Sequence, residues 1–460
     1  MSIPRKERRI AESVFKTTIS NQPCVSNDDS LHSHTSLPDY IDSHFNFESD
    51  FDEFFDSSSS DESIRFTNHD ESNSDGILQE LKSWAQFYNI CFRAINALLS
   101  ILRKYVSAFS FPKDSRTLLG HSNKSKLVMP MNGGEYFYFG IPEALCNNST
   151  SIIVNIDGMS VHVNSRLSFW PILICDSHKP ERIFIAACYV GRTKPPLSMY
   201  LEDFITDIIK FKLNIHFIIA DSPARAFLKN IKQFGGYYSC EYCLVKGNYI
   251  DNRMTYADLH CTLRNNCDFR SGEYHNHILG ETPFTKIIDF DLIENFPIDS
   301  MHCLYLGVMR RMLLFISFGK HKCRQPERII NDINKVHNGF SLGLPVEFNR
   351  KLRDLAELKS FKATELRTIL LYAGFCSFSK ISNVFFKHFC LLAVAIRIMA
   401  MRSPTVELRD YAKELLLEFV AKSKDVYGSN FIVYNVHLLI HLHQFISKYG
   451  SLEEFSCFRF

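Results

Sequence analysis

IHFIIADSPARAFLKNIKQFGGYYSCEYC, residues 215–243, is the stretch whose reading decides the fold. Its apolar opening (Ile215, Phe217, Ile218, Ile219, Ala220) has the composition of a buried strand. The run stops at Asp221, and Ser222-Pro223 then marks a helix start. Asp221 therefore falls where strand gives way to helix. That is the carboxyl end of a sheet, where open α/β sheets place their ligands. Gly235-Gly236 breaks the helical pattern, and Cys240-Glu241-Tyr242-Cys243 presents two thiols at metal-ligand spacing.

Working outward, residues 152–156 (IIVNI) form a second apolar strand that also ends in an acid, Asp157, ahead of Gly158. Between the two acids, LSFWPILIC (167–175) and IFIAACYV (183–190) read as strands. Residues 199–212 follow as an amphipathic helix with Leu201, Phe204, Ile205, Ile208 and Ile209 on its apolar side. Strand, strand, strand, helix, strand, with acids closing the first and fourth strands, is the order of an RNase H-like domain. The expected class is therefore α/β with a mixed sheet. Two carboxylates brought together there bind Mg²⁺ or Mn²⁺ for phosphoryl transfer. The plainer alternative is that Asp157 and Asp221 cap turns.

The 460-residue chain is long enough for two or three units. A net charge of +2 rules out a global basic field, so any nucleic-acid surface must be local. No run of some 18 uninterrupted apolar residues appears, and the start (MSIPRKERRIAES) lacks an apolar leader core, so the sequence reads as soluble, with no membrane partner. Fourteen cysteines scattered through the chain suit a reducing compartment better than a disulfide framework. Residues 1–76 are rich in Ser, Asp and Asn, with Phe51, Phe54 and Phe55 set among acids; they read as a disordered tail, either a solvated leader or an interaction segment. Arg5, Lys6, Arg8 and Arg9 have the composition of a nuclear signal. Residues 77–118 form a small helical segment, read as a pair packed on the main domain or as a helix-turn-helix with Arg103 and Lys104 near its end. The core domain is expected over 119–243.

Residues 244–298 form a polar region holding His260, Cys261, Cys267, His275 and His277. So long an aperiodic stretch needs a staple, and a Zn²⁺ ion on Cys240, Cys243 and two of those five would supply it. His275 and His277 are the favoured pair. Residues 299–460 are mainly helical. Asp299 and His302, three apart, share a helix face; either they support the acidic site or Asp299 caps the helix. His437, His441 and His443 in NVHLLIHLH lack the glutamate of an HExxH motif and are expected to be buried structural histidines.

Together these motifs resemble the DDE-type transposases of the CACTA (EnSpm) superfamily, in its animal branch. The elements that carry the likeness are NIDGMSVHVNSRLSFWPIL, ADSPARAFL, GGYYSCEYC, RSGEYHNHILGETPF, FPIDSMHCLYLGVMRR, LPVEF, KATELRTILLY and YNVHLLIHLHQFISKYGSLEEFSCFRF, in order from about Leu78 to Phe460. The resemblance implies an RNase H-like fold with a helical insertion. Asp157 and Asp221 would be metal ligands for cutting and joining DNA at transposon ends, Cys240/Cys243 the zinc-type pair and Asp299/His302 a DxxH motif. It also implies work in the nucleus and allows a homo-oligomer. In that family a glutamate follows at once after the segment that here reads GSLEEFSCFRF and closes at Phe460, while Glu453 and Glu454 fall too early. The resemblance therefore leads one to expect a truncated form with impaired cleavage, or a non-enzymatic, zinc-stapled descendant that binds DNA or a partner.

Overall fold

The computed structural model describes residues 74–460 apart from 89, 107–108, 120–127, 147–150, 162–164 and 320–322. The acidic tail and the basic cluster at Arg5–Arg9 lie outside the described residues. The rest is mixed α/β: one seven-stranded mixed sheet, a two-stranded hairpin and many helices.

The sheet is made of β1 (Met129–Met131), β2 (Gly134–Tyr138), β3 (Ser151–Ile156), β4 (Met159–Ser160), β5 (Ser168–Asp176), β6 (Ile183–Gly191) and β7 (Asn214–Ile219). Its order is β1-β2-β6-β5-β3-β7, with β4 paired to β5. All neighbours are antiparallel except β3 and β7, which run parallel. A parallel return needs a crossover, and helix α3 (Leu197–Lys210) provides it between β6 and β7. Its Tyr200, Leu201, Phe204, Ile205 and Ile208 are buried. β3 carries Ile152, Ile153, Val154 and Ile156 inside, which explains the unbroken apolar run: with neighbours on both sides and cover on both faces, no position alternates to solvent.

Ahead of the sheet, α1 (Ser74–Phe87) and α2 (Phe92–Tyr105) close a small core of their own around Ala85, Ile95, Leu99, Phe111 and Leu118. After the sheet come α4 (Ser222–Leu228) and the hairpin β8 (Asn248–Ile250) and β9 (Arg253–Thr255). A long helix, α5 (Met301–Phe318), begins π-wound over Met301–Met309. By length and composition α5 could cross a membrane, yet 56% of it is buried inside the protein. Its Arg311 donates to the Asn430 and Phe431 carbonyls (2.6 and 3.0 Å), as in a core helix held by its neighbours. Helices α6 (Glu327–Gly343), α7 (Asn383–Met399), α8 (Val406–Tyr427), α9 (Tyr434–Leu438) and α10 (Leu442–Tyr449) build the remaining half.

Candidate metal centres

The CxxC loop follows α4, and the fold brings α9 and the turn after it down onto that loop. His437 lies in α9 and His441 closes the 3₁₀ turn Leu439–His441, so the two imidazoles stand on one side, four residues apart. Cys243 Sγ lies 3.3 Å from His437 Nε2, and Cys240 Sγ lies 3.6 Å from His441 Nε2. All four ligand atoms fall within 4.8 Å of one another, and all four residues are buried. Zinc at about 2.3 Å from sulfur and about 2.0–2.1 Å from nitrogen needs S···N edges of about 3.5 Å, so the donor set fits a tetrahedral ion. An ion held by all four would keep no open position, the arrangement of a structural site rather than a catalytic one.

The electrostatics agree. Burial opposes a thiolate at Cys240, but the hydrogen bond from Cys243 and the nearby His441 and His437 pull its pKa far below the ordinary thiol value. Cys243 is driven the opposite way, first by its hydrogen bond to Cys240 and then by burial. A bound cation would favour the thiolate form at both sulfurs. Tyr256 and Tyr242 pack against His437 and His441 at centroid distances of 5.8 and 5.6 Å. Arg264 Nε donates to the Cys240 carbonyl (3.0 Å), stitching the polar region back onto the loop.

The expectation that His275 and His277 complete this site is corrected here. His275 is exposed, and His277 is buried with Nδ1 turned to the Tyr238 carbonyl (2.7 Å). Burial lowers the His277 pKa to about 3, so it is a neutral structural imidazole. Cys261 lies beside Cys243 but turns its thiol to the Asp258 carbonyl (3.8 Å). The two histidines expected to be mere core, His437 and His441, are the ones that meet the thiols. His443 points elsewhere, with Nδ1 on the Ile440 carbonyl (3.0 Å).

The acids occupy a second location. β3 and β7 pair in parallel up to Asn155 and Ile219, and Asp157 and Asp221 each lie two residues further on. They therefore leave neighbouring strands, roughly 4.8 Å apart, at the same height. Asp221 caps α4, accepting from the Ala224 amide at 2.7 Å, and Asp157 accepts from the Gly158 amide at 2.8 Å. The cap reading thus holds for Asp221, and it uses one oxygen of the carboxylate. Burial, followed by the charge of Asp221, raises the Asp157 pKa to about 7. Burial is the larger cause, and the Asp221 charge adds to it because the two carboxylates leave adjacent strands.

Asp299 and His302 stand beside this pair. Asp299 is fully buried and accepts from the His302 amide (2.8 Å), His302 Nδ1 (2.7 Å) and the Cys457 amide (2.7 Å). Burial disfavours the His302 imidazolium. The Asp299 hydrogen bond and the charges of Asp299, Asp157 and Asp221 outweigh that and raise its pKa to about 9. The cap reading holds, since Asp299 accepts from the Met301 and His302 amides at the start of α5, and the His302 imidazole faces the same acids. Glu453, by contrast, is held by Arg367 at 2.8 Å.

Between the two locations lies a buried network that sequence reasoning missed. Glu241, the residue inside the CxxC motif, accepts from Arg225 Nε (3.0 Å), Lys229 Nζ (3.2 Å) and the Tyr434 hydroxyl (2.8 Å). The available signal was two cations at i, i+4, Arg225 on α4 and Lys229 at its C-cap, in an apolar setting, with one acid between two thiols. Compared with known protein families and with curated proteins, the chain matches none.

Proposed function

We propose that this chain is the core of a DDE-type DNA strand transferase with an RNase H-like fold, resembling the CACTA transposases. In this reading Asp157 and Asp221 hold Mg²⁺ or Mn²⁺, the Cys2His2 group holds zinc, and the substrate is DNA at transposon ends. The observation that carries it is the arrival of two acids at equal register on adjacent parallel strands, with Asp157 raised in pKa first by burial and then by the charge of its neighbour. The strand order β6-β5-β3-β7, with the last strand reached through α3, supports the RNase H-like reading.

A divalent ion here would supply charge neutralisation and activation of the attacking oxygen. Asp157 and Asp221 each give one oxygen to a local backbone amide and keep the other for the ion. His302, oriented by Asp299, holds a proton beside them and offsets negative charge arriving with a phosphate. The substrate places this work in the nucleus, and pairing of two DNA ends suits a homo-oligomer.

Ion binding at the acids is the primary test. Mn²⁺ titration followed by electron paramagnetic resonance should show Mn²⁺ binding that Asp157→Ala and Asp221→Ala each abolish. Nicking of a labelled DNA duplex, where present, should vanish in the same variants. Equal Mn²⁺ affinity in wild type and both variants would sink the assignment. DNA binding that survives both substitutions, with no cleavage by any form, would favour the second reading, a zinc-stapled DNA-binding or interaction protein; the buried Cys2His2 group is what favours it.

A further inference from the structure

Arg225 grips the chain on both sides of Asp221. Its Nη1 donates to the Ala220 carbonyl (3.0 Å) and its Nη2 to Ser222 Oγ (3.1 Å). The same guanidinium donates through Nε to Glu241 Oε1 (3.0 Å). Glu241 is flanked in sequence by the two site thiols, and its Oε1 also accepts from Tyr434, three residues ahead of His437. Arg225, Glu241 and Tyr434 are all buried, so the Arg225–Ala220, Arg225–Glu241 and Tyr434–Glu241 bonds are shielded from water. A planar guanidinium with three committed partners cannot shift at one end without shifting at the other.

We propose that Arg225 and Glu241 are positioning residues that couple the Cys2His2 centre to Asp221. Closing Cys240, Cys243, His437 and His441 on a metal fixes Glu241, Glu241 fixes Arg225, and Arg225 sets the Ala220–Ser222 turn that aims the Asp221 carboxylate. The proposal rests on the reading of Asp157 and Asp221 as an ion site. It adds that this site is prepared by the other metal centre. Lys229 contacts Glu241 but not the Ala220–Ser222 turn, so it lies off the path.

The experiment compares the full chain with its Glu241→Gln, Arg225→Lys and Lys229→Met variants by zinc content, Mn²⁺ affinity and amide hydrogen exchange. Glu241→Gln and Arg225→Lys should keep zinc yet bind Mn²⁺ about 10- to 100-fold more weakly, the usual cost of losing a residue that orients a ligand. Exchange at the Ala224 and Arg225 amides, which bond to Asp221, should quicken in both. Lys229→Met should leave Mn²⁺ affinity near wild type. Unchanged affinity and exchange in Glu241→Gln and Arg225→Lys would overturn the proposal, as would an equal loss in Lys229→Met, which would reduce the network to buried-charge stability. Should Glu241→Gln lose zinc or the fold, wild type decides. Graded zinc removal must then speed Ala224 and Arg225 exchange before α3 opens, and simultaneous opening overturns the coupling. If wild type binds no Mn²⁺ while exchange still follows zinc, the coupling stands and the acid-pair reading falls.

Discussion

Gly158 has no room for a side chain: a Cβ there would meet the Trp170 ring at 2.4 Å. The ring sits beneath the turn that carries Asp157, so this glycine sets how closely the acid approaches the sheet. Gly158→Ala should therefore cost about 1–3 kcal/mol, as overpacking does, and should change Trp170 emission; denaturant unfolding followed by fluorescence checks both. His302 gives a prediction of known sign. Its folded pKa of about 9 lies above the ordinary value of 6.5. The stability it contributes is whole below pH 6.5 and is lost as pH climbs through 9. Its side chain is 28% exposed, so the contribution is discounted to about 1–3 kcal/mol. Thermal midpoints without added divalent ions should fall over that window, and His302→Gln should flatten the fall. Asp157, raised from 3.8 to about 7, loses its contribution lower, as pH rises through 7, so the two slopes separate.

At the scale of elements, the strands were legible because burial on both faces writes itself as apolar runs, and acids at their ends mark where the runs meet solvent. The β3, β5, β6 and β7 boundaries fall within a residue or two of the pattern. The crossover helix was legible from Leu201, Phe204, Ile205 and Ile208, although Ile209, read as part of the same apolar side, is exposed and Tyr200 is buried in its stead. The zinc partners were not. His437 in α9 and His441 in the turn after it sit in a largely apolar stretch, and local spacing cannot show that this stretch docks on a loop from the other half of the chain. The polar region after Cys243 needed a staple, but the nearest histidines in sequence proved to be engaged elsewhere. Metal analysis separates these outcomes: about one zinc per chain, lost in Cys240→Ser and His441→Ala and kept in His275→Ala. Zinc lost in His275→Ala and kept in His441→Ala would reverse the assignment.

Among the described residues, the hydrophobic clusters differ in size, and a small one of Phe137, Phe169, Cys188 and Val190 also lies on the sheet. The sheet and the helices after it share one large core, while α1 and α2 close over five buried residues of their own. Leu99 is fully buried among the latter. Leu99→Ala should therefore cost that unit about 2–5 kcal/mol and open residues 74–118 to amide exchange, leaving the protection of β3 and β7 unchanged. The helix pair was legible from composition, since its short apolar pattern stands apart from the strands. The burial of α5 was not, because an apolar helix reads alike in a core and in a bilayer.

The Cys2His2 group joins residues 194 positions apart along the chain, Cys243 and His437. A ribosome adding about 5–20 residues per second exposes the thiols roughly 10–40 seconds before the imidazoles exist. Through that interval the nascent chain carries a two-thiol half-site with no nitrogen partner, open to oxidation or to the wrong soft metal. If the group binds zinc, its loading is a race between synthesis and thiol chemistry, and slowing elongation should lower the zinc-loaded fraction without altering a single residue.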